Sequence, residues 1–129
     1  MSSSVPRAVV LAGTFLAACA GAATAPSAAL GTRETSLGAV LVDARGMTLY
    51  TYTEDQPGVS NCGMLCREYW PPALAPVDAQ PTGDLALIGD DGRRQWAYKG
   101  HPLYTYIDDK APGDVTGEGI DGEWYVVKP

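Results

Sequence analysis

Leu49-Tyr50-Thr51-Tyr52-Thr53-Glu54-Asp55 returns 54 positions later as Leu103-Tyr104-Thr105-Tyr106-Ile107-Asp108-Asp109. The register holds on both sides, because Gly46 falls on Gly100 and Trp70 on Trp124. One unit has been used twice, so the fold divides into two related halves. Within each copy the period of two puts Tyr50 and Tyr52 on one strand face and Leu49 and Thr51 on the other. Leu103, Tyr104, Thr105 and Tyr106 repeat that alternation.

The flanks of the first copy read as a hairpin. Val40-Leu41-Val42 is a short strand, Asp43-Ala44-Arg45-Gly46 a turn with glycine at its last position, and Met47–Thr53 the returning strand. Asp55-Gln56-Pro57-Gly58 ends that strand, since proline removes a donor and glycine admits positive φ. Cys62–Trp70 is expected to form one or two helical turns, stopped by Pro71-Pro72. Residues 71–83 hold four prolines and are expected to run extended between the halves. In the second half Leu85–Ile88, Arg94–Tyr98 and Leu103–Ile107 read as strands. Trp96 and Tyr98 share a face, and Asp90-Asp91-Gly92 and Lys99–Pro102 form turns. After the glycine-rich loop 112–119, Trp124–Val127 closes the chain.

No segment carries a long helical period. The expected fold is all-β: a small antiparallel sandwich or barrel-like domain of two tandem repeats, with a short helical turn near the cysteine pair. The domain is expected over 37–129, with repeat 1 at about 37–72 and repeat 2 at about 84–129. Such a chain buries little core. With one Phe, seven Tyr and three Trp, tyrosine and tryptophan supply most of the large apolar area.

The N-terminus carries a different message. Arg7 precedes the apolar run Ala8–Leu16, which is too short to span a bilayer. Leu16-Ala17-Ala18-Cys19 resembles the bacterial lipobox, in which the cysteine becomes the lipidated N-terminus. Residues 1–18 are therefore expected to be a lipoprotein signal peptide, with Cys19 the lipidation site. Residues 19–36, rich in small residues and proline without an apolar period, are expected to be a flexible tether. Of three cysteines, lipidation of Cys19 leaves Cys62 and Cys66, which outside the cytoplasm are expected to be a disulfide. The chain has 9 basic and 15 acidic residues. Loss of Arg7 with the signal makes the mature net charge −7. That balance disfavours nucleic acid, whose phosphates need a basic face.

Two copies of Tyr-x-Tyr-x-x-Asp behind a lipobox resemble the predicted bacterial lipoproteins with a Y-x-[FWY]-x-x-D motif, the secreted repeat of unknown function. The supporting residues are Asp43, Gly46, Leu49, Tyr50, Tyr52 and Asp55, then Cys62, Cys66 and Trp70-Pro71-Pro72. Tyr98, Gly100, Pro102 to Tyr104, Tyr106, Asp109 and Pro112-Gly113-Asp114 follow in the second copy. The resemblance covers residues 37–129. It implies a cell-envelope location and no particular activity; a loose association of some relatives with alkane catabolism is neither supported nor refuted by these residues.

Each candidate site has two readings. Tyr50 and Tyr104 bury their rings while Asp55 and Asp109 accept their hydroxyl protons or cap the next turn. Alternatively, Tyr52, Tyr106, Trp96 and Tyr98 form a stacking surface for a cell-wall glycan. Cys62 and Cys66 are spaced for a structural bridge; the alternative is a redox or metal-handling accessory protein. The lone His101 and Met47 at the equivalent place suggest a solvated turn, with a copper pair as the lesser reading. Asp108, Asp109, Asp114, Glu118, Asp121 and Glu123 suit a solvated acidic loop better than calcium, because the EF-hand spacing fails. No nucleophile motif accompanies the single histidine, so no catalytic residue, metal or cofactor is expected. The expected role is a non-catalytic envelope lipoprotein whose partners are the membrane, through the anchor, and a cell-wall glycan or envelope protein.

Overall fold

A computed structural model describes Gly13, residues 30–89 and residues 93–129. The expected signal peptide, Cys19, most of the tether and the turn 90–92 lie outside the described residues. Seven strands and one helix follow in order: β1 Gly31–Thr35, β2 Gly38–Val42, β3 Tyr50–Tyr52, α1 Met64–Tyr69, β4 Leu85–Ile88, β5 Gln95–Tyr98, β6 His101–Pro102 and β7 Trp124–Val126. They form three antiparallel sheets, β1-β2, β3-β7 and β4-β5-β6. The all-β class holds. The sheets do not close into a barrel.

The repeat is wider than expected. Each half opens with a hairpin, in which Thr32 faces Leu41 in β1-β2 and Leu87 faces Trp96 in β4-β5. Residues 31–36 are thus part of the folded domain and not of the tether. β1 escapes an apolar-period search because four of its five residues are exposed. Its counterpart β4 is more apolar in sequence and was legible for that reason. Projecting β4 back by one repeat length lands on Gly31–Glu34, and this was the available signal.

After the hairpin the chain turns at Asp43–Gly46. Asp43 Oδ1 accepts the Arg45 and Met47 amides at 2.9 and 3.0 Å. Gly46 takes φ +83°, a conformation that glycine alone adopts without strain. The expected pairing of 40–42 with 47–53 holds only at its start, in the bridge Val42–Thr48 and the bond from Leu49 N to Leu41 O. Beyond Leu49 the chain leaves β2, and β3 pairs with β7, the closing strand of the other repeat.

The reciprocal pairing also occurs. Pro72 bridges Tyr104, Thr105 N donates to Pro71 O, and Ala73 N donates to Leu103 O. The proline-rich connection is therefore extended, as expected, and its first residues act as the closing strand of repeat 1 laid into repeat 2. Prolines suit this place because the Pro71 carbonyl accepts from Thr105 and the missing proline donors are not required. Tyr50 and Tyr104 face one another and exchange both backbone bonds, at 2.8 and 3.0 Å. They mark a pseudo-two-fold axis.

Two rings of backbone bonds lock this exchange. Leu49 N donates to Leu41 O, Leu41 N to Val127 O, and Val127 N to Leu49 O. Leu103, Trp96 and Ala73 repeat the same cycle. All six residues are buried and belong to one apolar cluster, completed by Ala79. On the other side of the strands Tyr50, Tyr104, Trp70, Trp124, Val40, Val42, Val126 and Cys62 form a second cluster. Strand alternation creates the two layers: Leu49 and Leu103 enter one, Tyr50 and Tyr104 the other. Each layer takes residues from both repeats, so neither half completes a core alone.

Gly117 lies where the second layer is tightest. A Cβ there would stand 2.7 Å from the Trp70 ring and 2.9 Å from the Tyr50 ring. Gly117→Ala is expected to destabilise the protein by about 1–3 kcal/mol through overpacking. Gly63→Ala, at the N-cap of α1 with no atom within 4 Å of the added carbon, is expected to cost no more than about 1 kcal/mol, from the weaker cap and not from overpacking. Urea unfolding of the two variants checks this.

Candidate functional site

The duplicated motif builds a column of four rings. Tyr52 stacks on Trp124 at 4.4 Å, Trp124 on Trp70 at 3.9 Å with an interplanar angle of 1°, and Trp70 on Tyr106 at 4.2 Å. Tyr52 and Tyr106 are equivalent by the repeat, as are the two tryptophans, so the axis passes between Trp70 and Trp124. Tyr50 meets Trp70 edge-on at 5.3 Å, and Tyr104 meets Trp124 edge-on at 5.2 Å. Offset-stacked and edge-to-face pairs each add about 0.5–1.5 kcal/mol beyond the area they bury.

The hydroxyls cross between repeats. Tyr50 Oη donates to Asp109 Oδ2 at 2.7 Å, and Tyr104 Oη donates to Asp55 Oδ2 at 2.7 Å. The other oxygen of each carboxylate holds its own loop. Asp55 Oδ1 accepts the Asn61 amide at 2.6 Å, and Asp109 Oδ1 accepts the Thr116 amide at 2.9 Å. Gly117 N donates to Tyr50 Oη, while Ser60 Oγ lies 2.6 Å from Tyr104 Oη. Each aspartate therefore ties the loop of its own repeat to the ring of the other. Among the described residues no buried side-chain polar atom lacks a partner.

Burial, together with the adjacent carboxylate, pushes the phenols of Tyr50 and Tyr104 far above the usual range. Burial also raises Tyr52 and Tyr106. Asp55 is raised by burial, against the lowering effect of the Asn61 amide and the Tyr104 hydroxyl. These phenols are poised to remain donors.

The four rings expected to share a glycan surface do not come together. Tyr52 and Tyr106 cap the two ends of the column, while Trp96 and Tyr98 pack into the other layer. Cys62 and Cys66 are bonded, with Cα atoms 5.2 Å apart. Cys62 precedes α1 rather than lying on it, and it is buried at 1% exposure. Thr116 and Gly117 occupy the corresponding loop of repeat 2, and Ile120 packs where Cys66 does.

The acidic loop is used internally. Asp114 Oδ2 accepts the Lys110 and Ala111 amides at 2.9 and 3.0 Å, and Glu118 accepts Val126 N at 3.0 Å. His101 is exposed in β6, opposite Tyr98. Among the described residues no three His, Cys, Asp or Glu side chains group as a metal site. Sequence reasoning missed Asn61 and Thr116, which bond the aspartate of their own repeat, and Ser60 and Gly117, whose bonds to Tyr104 and Tyr50 arise only once the halves are crossed.

Among the described residues, two of the surface grooves border α1. One, of about 400 Å³, lies beside the column between Leu65, Tyr69, Tyr106, Ile120 and Asp121. A larger one, of about 810 Å³, runs between α1, Val59, Leu74, Ile88 and Arg93. Among the described residues no helix is long and apolar enough to cross a membrane.

Residues 31–74 and 86–128 each match the secreted repeat of unknown function. The two matches begin at the same place in each structural unit, at the strand that opens its hairpin. No curated protein and no solved structure matches the chain.

Tyr50→Phe leaves Asp109 and the Gly117 amide without the phenol oxygen and is expected to cost about 1.5–3 kcal/mol. Tyr104→Phe is expected to do the same through Asp55. Tyr52→Phe is expected to stay within about 0.5 kcal/mol. Thermal or urea unfolding measures all three. The pH dependence follows from the raised phenols. Their contribution is fully present below the unfolded tyrosine value of about 10 and is lost as pH rises above it toward the folded values. Alkaline titration followed by phenolate absorbance and circular dichroism is expected to show the Tyr50 and Tyr104 protons released only as the fold is lost.

Proposed function

We propose, from the premise that this chain belongs to the family of the secreted repeat of unknown function, that it is a lipid-anchored, non-catalytic envelope module. In this reading Cys19 carries the acyl chains, a short tether follows, and the two-repeat domain works as a rigid structural and binding unit. Membership of a secreted family supports a place outside the cytoplasm. The Leu16–Cys19 lipobox adds the anchor, because two or more acyl chains hold a protein stably on a bilayer.

One observation carries the non-catalytic part. Both copies of the motif are spent on each other, with the phenols bonded to the opposite carboxylates and the tryptophans stacked on the axis. The residues with the most chemical potential in this sequence are thus occupied in holding two halves together. The disulfide fits the same reading. Cys62 is buried, and the bridge holds α1 against the second apolar layer.

The test follows the anchor and the rings separately. Cys19→Ser is expected to shift the protein from the membrane fraction to the soluble extracytoplasmic fraction, with loss of the acylated N-terminal peptide from its mass spectrum. A wild type recovered in the soluble fraction, or one whose mature N-terminal peptide carries no acyl chain, overturns the anchor. Tyr52→Ala with Tyr106→Ala is expected to lower the melting temperature. Loss of peptidoglycan co-sedimentation in that variant at unchanged stability would favour glycan stacking over the structural role.

A further inference from the structure

The two repeats share their hairpins, exchanged closing strands, ring column and Tyr–Asp pairs. They differ in one large feature. Repeat 1 follows its motif with α1, pinned by the Cys62–Cys66 bridge, where repeat 2 has a glycine-rich loop and a single 3-10 turn at Ile120–Gly122. Repeat 2 supports its half of the core without any helix, so the fold has no need of the outward face of α1.

That face is apolar. Met64 is 85% exposed and Leu65 is 78% exposed, and no residue of α1 is buried. Val59 and Leu74 are also exposed and line the same groove. Among the described residues that line that groove, Arg67 and Arg93 stand with one acidic residue, Glu68, on a chain whose net charge is −6. Apolar side chains at this exposure, flanked by arginine, are costly to leave in water and are expected to have a partner.

The length of chain before the domain points to which one. Ten residues, 20–29, separate Cys19 from Leu30. Fully extended they reach about 35 Å. An anchor at Cys19 therefore keeps the whole domain within about one domain diameter of the bilayer, at a high effective concentration of lipid surface.

We propose that α1 and the adjoining groove form a membrane-docking face, with Met64 and Leu65 entering the interface of the bilayer that carries the anchor and Arg67 and Arg93 meeting anionic headgroups. This rests on the lipid-anchor reading. Interfacial binding of this kind combines a small apolar insertion with basic side chains, and it supplements an acyl anchor rather than replacing it. The disulfide then has a further use, since it fixes the short helix that presents the two side chains. The acidic remainder of the domain is repelled by the same headgroups, which orients the face toward the membrane.

The experiment uses the chain from residue 19 onward with Cys19→Ser and the disulfide formed, so that no acyl chain contributes. The probe is vesicles of phosphatidylethanolamine mixed with phosphatidylglycerol. The unlipidated chain is expected to co-sediment with these vesicles, less so at high salt. Met64→Asp with Leu65→Asp is expected to reduce partitioning about tenfold. Ile107→Asp, another exposed apolar position, is expected to leave it unchanged. Hydrogen exchange on the unsubstituted chain provides a measure independent of folding defects, with vesicles expected to slow exchange across 64–69 and not across 31–35. Absence of vesicle binding, or binding indifferent to Met64 and Leu65, overturns the proposal. So does an envelope protein that binds this face in place of lipid. Lipidation at Cys19 is read separately from the mass of the exported protein, so failure of the anchor and failure of the docking face are told apart.

Discussion

The contact between Trp70 and Trp124 organises this protein. The two rings lie parallel on the pseudo-two-fold axis, 3.9 Å apart, and each comes from the closing segment of its own repeat. Each closing segment is paired with the motif strand of the other repeat. Stacking the tryptophans therefore requires the exchange of strands, and the exchange delivers the tryptophans. The arrangement follows from scale. A unit of some forty residues buries too small a fraction of its surface to stand alone. Two units that trade their last strands share one two-layer core, and most of the large apolar area enters that core as aromatic rings.

The aspartates enforce the same pairing by polar means. A buried phenol needs an acceptor, and a partly buried carboxylate needs donors. Asp109 satisfies Tyr50 while also holding the loop at Thr116, and Asp55 satisfies Tyr104 while holding the loop at Asn61. Two halves that failed to cross would leave two phenols and two carboxylates unmatched. The Tyr-x-Tyr-x-x-Asp motif is thus divided by role. Its first tyrosine and its aspartate specify the pairing of the repeats, and its second tyrosine extends the ring column to the rim.

The sequence disclosed the duplication, the two faces of each motif strand, the helical turn and the cysteine pair, because each depends on spacing within a few residues. The crossing was not legible. Asp55 and Asp109 hold the same offset from their tyrosines, so bonding within a repeat and bonding between repeats look identical in one dimension. Strand β1 was hidden for a different reason. An exposed edge strand such as Gly-Thr-Arg-Glu-Thr has no apolar alternation, and only its register against Gly38–Val42 identifies it. The grouping of Trp96 and Tyr98 with Tyr52 and Tyr106 failed because alternation assigns a face to a strand and does not say which layer that face enters. Trp96 and Tyr98 entered the layer of Leu41 and Leu103, on the other side of the strands.

Duplication also separates what the fold requires from what was added to it. Features present in both halves belong to the shared core. The Tyr–Asp pairs are a clear case, whereas Gly117 belongs to repeat 2 alone, where its missing side chain makes room for the rings of repeat 1. Cys62 fills the matching region of repeat 1 with a sulfur that also secures α1. The helix that follows contributes no buried residue, yet a covalent bond constrains it. A constraint on an element that the core does not use stabilises the presentation of its surface. In the proposed membrane docking that surface is the outward side of repeat 1, and repeat 2 is the half that completes the support.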